Sequence, residues 1–126
     1  MVRESELITG IAVRGDGRGR LLGFPTANLK LDDESQRPAD GVYACRVKLE
    51  EKLYKGALHV GPRPTFAGAV PTVEVHILDF PDRDLYDTMI SFQPAVRLRD
   101  IMKFASADEL QEALARDCAM AASALR

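Results

Sequence analysis

The chain has 126 residues, of which 46% are hydrophobic and 29% are charged. This length and composition are typical of one globular domain with a substantial core and exclude a disordered or fibrous protein. The formal net charge of -2 does not favour a general nucleic-acid binder. No apolar run is long enough to span a membrane, and the first nine residues lack the apolar stretch of a signal peptide. With only two cysteines, the chain predicts a cytoplasmic protein without a disulfide framework.

The N-terminal region predicts one strand followed by two loops. ELITGIAVR, beginning at Glu6, alternates with a period of two and is rich in β-branched residues, which is typical of a strand. It leads into the basic, glycine-rich segment RGDGRGRLLG and then into FPTANLKL, where Pro25 disfavours a helix at Phe24. The polar segment DDESQRPAD predicts a surface loop.

The central region predicts a hairpin and a further strand. GVYACRVKL and KLYKGALHVG flank a short charged turn at Glu50 and Glu51, so together they predict an antiparallel hairpin. The proline- and glycine-containing segment PRPTFAGAVP predicts a loop. TVEVHILDF predicts a strand whose hydrophobic residues face one way while Glu74 and His76 share the other face.

Helical periodicity appears only in the last segment. MISFQPAVRLR first predicts either a strand pair or a single strand interrupted at Pro94. Ser106 and Glu109 then form a capping box, followed by apolar residues at helical spacing: Leu110, Leu114, Cys118, Ala121 and Leu125. They predict a helix of about 18 residues. We therefore expect a single, mainly β domain over residues 1–126: a small antiparallel barrel with a C-terminal helix packed on it.

The glycine-rich loop is a candidate phosphate site. Glycines let backbone N–H groups surround phosphate oxygens, and arginine supplies bidentate donors. The loop contains both kinds of residue: Gly15, Gly17, Arg18, Gly19, Arg20 and Gly23. It matches neither the P-loop nor the dinucleotide-binding fingerprint, so its spacing alone leaves a flexible hairpin turn as an equal alternative.

Six other side chains have a chemical or a packing interpretation. Thr26 and Asn28 present oxygen atoms two residues apart, which suits Mg²⁺, although a capped turn is the simpler interpretation of the pattern. Glu74 is a carboxylate in an apolar strand, so its pattern predicts either a structural ion pair or a catalytic base. His76 on the same face is more often a satisfied structural residue than a ligand. Both cysteines, Cys45 and Cys118, lie at apolar positions and predict inert packing residues.

Several motifs in this order closely resemble the riboflavin kinase family. They are VRGDGRGRLLGFPTANL, GVYACRV, YKGALHVGPRPTF, VEVHILDF, DLYD and VRLRDIMKF, and they cover about residues 6–120. The PTAN element joined to a downstream Glu on a VEVH strand is the most specific part. The resemblance implies a six-stranded Greek-key barrel with a C-terminal helix, and a kinase that converts riboflavin and ATP to FMN and ADP.

The resemblance also implies roles for individual residues. Glu74 would be the base at the riboflavin 5′-hydroxyl, and Thr26 and Asn28 would be ligands of Mg²⁺–ATP. Arg99 and Phe104 match a flavin-side loop. The remaining matches are on the ATP side. The mobile loop over the phosphates would consist of Gly15, Gly17, Arg18, Gly19 and Arg20. The nucleotide would be held by Ile77, Asp79 and Tyr86.

The sequence departs from the family pattern mainly near the flavin side. Asp87 stands where members often have the Gly of LYG, Ile101 stands where bacterial members often have an acidic residue, and Met102 replaces a commonly polar or basic residue. These changes keep open an alternative class, a non-catalytic sensor that binds flavin or nucleotide. Because no adenylyltransferase half precedes Met1, we expect no conversion of FMN to FAD by this chain, which is either a free-standing kinase or an excised domain. We expect any FMN adenylyltransferase, as a domain or a protein, to be supplied separately. We expect riboflavin and ATP as ligands, and neither nucleic acid nor a membrane.

Overall fold

Six antiparallel strands form a closed barrel with one long helix on its outer face. The computed structural model describes residues 3–14, 22–65 and 68–125. The strands are β1 (Ile8–Val13), β2 (Ala27–Leu31), β3 (Gly41–Leu49), β4 (Lys52–Thr65), β5 (Gly68–Ile77) and β6 (Met89–Arg99), and the helix is α1 (Ala107–Ala124). Around the barrel the order is β1–β2–β5–β4–β3–β6. Because β3, β4 and β5 are consecutive hairpin strands and β2 pairs with β5, the topology is a Greek key, which confirms the predicted fold class.

The β3–β4 hairpin closes through the charged turn that the sequence predicts. Leu49 lies opposite Lys52, which leaves Glu50 and Glu51 as the two loop residues. Both have positive φ, 52° and 66°. Two consecutive positive φ angles are those of a type I′ turn, whose twist matches the right-handed twist of the strands it joins.

The β4–β5 hairpin shows that the loop predicted for PRPTFAGAVP is wrong, because both strands continue through this segment. Pro62 lies opposite Pro71, and Pro64 lies two residues farther along β4. In an antiparallel ladder, every second pair of opposite residues exchanges no N–H···O hydrogen bonds. All three prolines lie in such non-hydrogen-bonded pairs. An N–H group at Pro62 or Pro64 would point away from β5, toward the side of β4 on which β3 pairs. That pairing ends at Val60, so no hydrogen bond to β3 is lost. Proline is therefore tolerated here.

Strand β6 is a single strand, which decides between the two alternatives for MISFQPAVRLR. Its register against β3 shifts twice: Cys45 lies opposite Pro94 while Ala44 lies opposite Val96, and a second shift follows near Arg99. Each shift inserts one extra residue, as in a β-bulge, and bulges accommodate proline within a sheet. The interruption at Pro94 thus bends the strand without ending it.

The core fills the barrel with the inward-facing residues of every strand. On β5 the inward residues are Val73, Val75 and Ile77, and they are 2%, 0% and 6% exposed. Phe92, Leu49 and Leu58 are among the largest fully buried side chains of this core. As the period of two predicts, the alternate residues project to the outer face of the barrel.

Helix α1 begins where the capping box predicts and has the predicted length of 18 residues. The Oγ of Ser106 accepts a hydrogen bond from the Glu109 N–H at 3.2 Å. The predicted apolar face is confirmed in part: Ala121 and Leu125 are buried and Leu110, Leu114 and Cys118 are half-buried, while the buried face also includes Ala113 and Asp117. Small alanines allow the helix to approach the sheet closely, and Asp117 has a charged partner there. Among the described residues, no helix is long and apolar enough to cross a membrane.

Candidate functional site

A row of directly opposite residues runs around the outside of the barrel from β2 to β6. Asn28 lies opposite Glu74, and Glu74 lies opposite His59. His59 lies opposite Val42, and Val42 lies opposite Arg99. Opposite residues in antiparallel strands project to the same face with their Cβ atoms about 5 Å apart. This row, which we call the outer row, therefore brings three residues predicted from the sequence onto one face of the sheet, although Val42 within it is only 2% exposed.

Glu74 projects outward because its neighbours in β5 fill the barrel. Val73 and Val75 are buried in the core, so the alternation of the strand places Glu74 on the other face, where it is half-buried. Its cross-strand neighbours are an amide side chain, Asn28, and an imidazole, His59. The carboxylate thus lies on a polar, partly shielded surface rather than inside the core. Its interpretation as a catalytic base stays a prediction at this point.

The far end of the outer row is an ion pair between the barrel and helix α1. The Nε of Arg99 donates to the Oδ1 of Asp117 at 2.9 Å, and its Nη2 donates to Oδ2 at 2.8 Å. The Arg99 side chain is 20% exposed and that of Asp117 is 5% exposed. The guanidinium also lies 5.6 Å from the centre of the Phe104 ring. A bidentate, largely buried pair of this kind fixes the orientation of Arg99, and Arg99 in turn holds Phe104 near the row.

A second feature is a solvent-open pocket at the rim of the barrel, with a cavity volume of about 60 Å³. Its floor consists of residues from β1, β2 and β5, and its wall consists of residues 80–86. Three residues predicted for the nucleotide line it: Thr26, Ile77 and Tyr86. Asp79, another predicted nucleotide residue outside the loop, is not part of the lining; it lies in the turn after β5 with a positive φ of 56°.

The wall of this pocket is anchored to the β3–β4 hairpin. Arg83 forms an ion pair with Glu50 and lies 5.2 Å from the centre of the Phe80 ring. Phe80 in turn makes an edge-to-face contact with Tyr54, with ring centres 5.2 Å apart. Although residues 81–84 are all exposed, these contacts tie both an aromatic and a charged side chain of the wall to the barrel.

His76 fixes the segment that leads into β2. Its Nδ1 lies 2.7 Å from the carbonyl oxygen of Pro25, so Nδ1–H donates to that oxygen. Phe24 makes an edge-to-face contact with the His76 ring at 5.7 Å. Regular pairing of β2 with β5 stops at Ala27, and the His76 contact continues the attachment for two more residues. It therefore holds Thr26 between the pocket and the outer row, and it agrees with the structural interpretation of His76.

The glycine-rich loop predicted to cover the phosphates lies outside the described residues, from Gly15 through Arg20. Its two flanks are described. Arg14 lies with its guanidinium 5.2 Å from the centre of the Tyr86 ring, at the edge of the pocket. On the other flank, the carbonyl of Leu22 accepts a hydrogen bond from Gln111 on α1 at 3.0 Å. The flanks thus place one cation beside the pocket and anchor the other end to the helix.

Burial sets the protonation of three further groups. It raises the pKa of Cys45 to about 12 and that of Cys118 to about 11. Both thiols are free and stay protonated at neutral pH, in keeping with inert packing residues. Burial also lowers the pKa of His59, and the neighbouring positive charge of Arg99 lowers it further. His59 is therefore a neutral imidazole beside Glu74 at neutral pH.

Sequence reasoning missed two residues of this arrangement: His59 and Asp117. Of these, only Asp117, the buried acid on α1, could have been identified from the sequence pattern. Asp117 interrupts the apolar face of a helix, and a buried carboxylate at such a position needs a cationic partner. Nothing in the sequence indicates that β4 brings His59 beside Glu74, because that contact depends on strand register.

Comparisons with known proteins agree with this architecture. The family model described as Flavokinase, riboflavin kinase, matches residues 3–125. A bifunctional riboflavin kinase/FMN adenylyltransferase from Escherichia coli K12 is 44% identical over 111 residues, and one from Bacillus subtilis 168 is 36% identical over 113 residues. Each match covers 87% of this chain and 35% of the relative. The chain thus spans about a third of the length of these curated relatives.

Two crystal structures share the fold. One, described as riboflavin kinase from Trypanosoma brucei, has a TM-score of 0.66 at 24% identity and covers 94% of this chain and 78% of that chain. The other, described as a macrolide-efflux protein from Streptococcus pneumoniae, has a TM-score of 0.82 at 38% identity and covers 91% of this chain and 38% of that chain. With the family model matching nearly every residue, the chain belongs to the riboflavin kinase family.

Proposed function

We propose that this chain transfers the γ-phosphoryl group of ATP to the 5′-hydroxyl of riboflavin and releases FMN and ADP. Family membership supports the reaction class, and the geometry supports the placement of the two substrates. The decisive observation is that the rim pocket and the outer row meet at β2. Thr26 lines the pocket, while Asn28, two residues later, lies opposite Glu74.

The rim pocket suits the nucleoside end of ATP. Its lining combines apolar and aromatic side chains, among them Ile77, Phe80 and Tyr86, with a few polar groups. Binding sites for small molecules typically have this composition. A nucleotide seated there extends its phosphates toward Thr26, with Arg14 and the predicted loop arginines, Arg18 and Arg20, supplying positive charge. Such charge favours the transition state, because phosphoryl transfer depends mainly on positioning and electrostatic stabilisation.

Thr26 and Asn28 are suitable residues for binding the magnesium ion of Mg²⁺–ATP. They offer a hydroxyl and an amide oxygen on the same side of the chain, next to the Glu74 carboxylate. Neutral oxygen donors fit an ion that keeps several waters and takes its remaining ligands from phosphate. When bound, the ion neutralises charge on the transferring phosphoryl group. The protein's own contribution is to align Thr26 by the His76 contact and Asn28 by its pairing across from Glu74.

Glu74 acts as the general base in this proposal. Its carboxylate orients the 5′-hydroxyl of riboflavin and accepts its proton as the oxygen forms a bond to the γ-phosphorus. The bond from that phosphorus to the β,γ-bridging oxygen breaks, and ADP leaves with the electron pair. Proton transfer to a positioned side chain contributes about 10²–10⁴-fold to the rate of such reactions.

The flavin extends from Glu74 along the outer row toward Arg99. Those two residues are three strand spacings apart, about 14 Å along the face before the curvature of the barrel is counted. A five-carbon ribityl chain and a tricyclic ring have a comparable combined length. Phe104 and the guanidinium of Arg99 then offer a flat apolar surface and a cation at the ring end.

The proposal also covers the step that follows riboflavin phosphorylation and the location of the protein. The curated relatives join riboflavin kinase and FMN adenylyltransferase in one protein. In this proposal FMN is the product of the described barrel, and an FMN adenylyltransferase activity outside the barrel makes FAD from it. Two free cysteines, without a disulfide between them, are in keeping with a cytoplasmic location.

One assay tests this function. The purified chain is incubated with riboflavin, ATP and Mg²⁺, and the flavins are separated by chromatography. We expect FMN and ADP to form in equal amounts, no FAD to form, and no FMN to form once the divalent ion is chelated. Stoichiometric flavin binding without release of ADP would instead identify the non-catalytic sensor.

A further inference from the structure

The imidazole of His59 occupies the position between the two proposed ends of riboflavin. His59 on β4 lies directly opposite Glu74 on β5 and opposite Val42 on β3. Val42 in turn lies opposite Arg99 on β6. Because these residues project to one face, a ligand that spans from Glu74 to Arg99 passes over His59. This argument rests on the proposed function, which places the flavin along the outer row.

The ring of His59 contains an unusual polar atom. Its Nδ1 is buried and makes no hydrogen bond to another described residue. Buried polar atoms are nearly always paired, and an unpaired one costs stability, so each exception needs an explanation. Arg99, Asp117 and Asp40 influence the ring through their charge, but none of them donates to or accepts from Nδ1.

The surroundings of the ring connect it to the proposed flavin-side loop. Gly61, the next outward-facing residue on β4, has no side chain, and Ile101 fills the space above it. A Cβ atom on Gly61 would lie 3.0 Å from the Cδ1 of Ile101 and 3.4 Å from the Cε1 of His59. Ile101 therefore lies beside His59, on the segment that joins Arg99 to Phe104. Because Nδ1 is buried, a ligand reaches it only if a neighbouring side chain moves, and Ile101 is one such neighbour.

We propose that His59 is a riboflavin-binding residue whose Nδ1 forms a hydrogen bond with a hydroxyl of the ribityl chain. The position beside Glu74 selects the ribityl chain over the ring system, because the 5′-hydroxyl at Glu74 brings the adjoining hydroxyls to the neighbouring strand. A neutral imidazole nitrogen pairs with a hydroxyl in either direction, as donor or as acceptor. The binding site thus accepts an unpaired atom in the free protein and pairs it when substrate is bound.

The test compares His59→Phe with His59→Asn. The Phe variant keeps a ring of similar size but has no nitrogen, whereas the Asn variant keeps a polar atom near the position of Nδ1. We expect His59→Phe to raise the dissociation constant for riboflavin about three- to tenfold, the effect of one net hydrogen bond. The dissociation constant for Mg²⁺–ATP should stay unchanged, and the melting temperature should stay the same or rise. His59→Asn should bind riboflavin within about twofold of the wild type.

Two controls make the comparison specific. Lumiflavin has the same ring system with a methyl group in place of the ribityl chain, so His59→Phe should not weaken its binding. Thr9→Val removes a polar group that is paired, with its Oγ1 2.8 Å from the Oγ of Ser91 on the outer face of β1 and β6. This variant should lose stability and keep its affinity for riboflavin.

Three results would overturn the proposal. They are unchanged riboflavin binding by His59→Phe, equal losses of affinity in the Phe and Asn variants, and an equal loss for lumiflavin and riboflavin. Failure of the wild-type chain to bind riboflavin would instead reject the proposed function, and the role of His59 with it. The wild-type measurement therefore separates the two claims.

Discussion

Asn28 on β2 and Glu74 on β5 are directly opposite each other in the barrel, although 46 positions separate them in the sequence. Only this pair and its neighbour, Ala27 with Val75, connect the two strands in the described register. A short contact between strands therefore brings the proposed ligand of Mg²⁺–ATP beside the proposed base. The predictions below follow from this juxtaposition and from the contacts that support it.

Replacing Asn28 with Ala should weaken Mg²⁺–ATP binding and slow turnover. The substitution removes an oxygen donor from the proposed ion site but little packing, because Asn28 lies on the outer face and is only half-buried. The melting temperature should change little. Titration calorimetry with Mg²⁺–ATP measures the effect, and an affinity equal to that of the wild type would reject the assignment of Asn28.

His76→Phe should raise the KM for ATP several-fold and leave the KM for riboflavin unchanged. The change removes the Nδ1–H that donates to the carbonyl of Pro25 and thereby loosens the segment that contains Thr26. His76→Asn, which keeps an N–H donor near the position of Nδ1, should restore most of the ATP affinity. If the Asn variant is as impaired as the Phe variant, the hydrogen bond to Pro25 is not the cause.

Asp117→Ala should destabilise the protein by about 3 kcal/mol, as expected when one partner of a largely buried ion pair is removed. The loss arises because Arg99 keeps its charge on a mostly covered surface without its bidentate partner. Riboflavin affinity should also fall, since Arg99 is no longer held in place. Glu112→Ala, an exposed position on the same helix, is the control and should change the free energy of unfolding by less than about 0.5 kcal/mol. Urea titrations of both variants measure this difference.

The lowered pKa of His59 predicts that the protein loses stability as the pH falls. Burial and, to a lesser extent, Arg99 lower its pKa in the folded state, so the unfolded chain binds the proton more readily. The contribution of His59 to the free energy of unfolding is therefore fully present above the unfolded pKa of about 6.5. It is lost as the pH falls through the lower pKa of the folded state. Between pH 7 and pH 5, the melting temperature of the wild type should fall more than that of His59→Phe. Parallel melting curves for the two proteins would contradict this.

The predictable part of the structure is the part that local pattern determines. Alternation places Val75 inside and Glu74 outside, and the capping box locates the start of α1, because both depend on residues close in sequence. The extended β4–β5 hairpin was not predictable from composition, since proline is accepted or rejected according to its place in the ladder, as at Pro62 and Pro71.

The site shows the same division between local and long-range information. The sequence pattern made Thr26, Asn28 and Glu74 candidates, and the family resemblance gave each of them a role. Strand register explains why Asn28 lies beside Glu74. His59 and Asp117 were missed because their importance comes from partners far away in the chain, Glu74 and Arg99. Cross-strand register and the docking of a helix are long-range properties, and no short motif encodes them.

The most direct test of the account is Glu74→Gln, measured by steady-state kinetics, substrate binding and thermal melting on the same preparation. Gln keeps the size of the side chain but does not accept the hydroxyl proton. We predict that turnover falls by about 100-fold or more while riboflavin and ATP affinities change little and the melting temperature is preserved or raised. Near-normal turnover in the folded fraction, together with a large drop in melting temperature, would show that Glu74 has a structural role and would contradict the account.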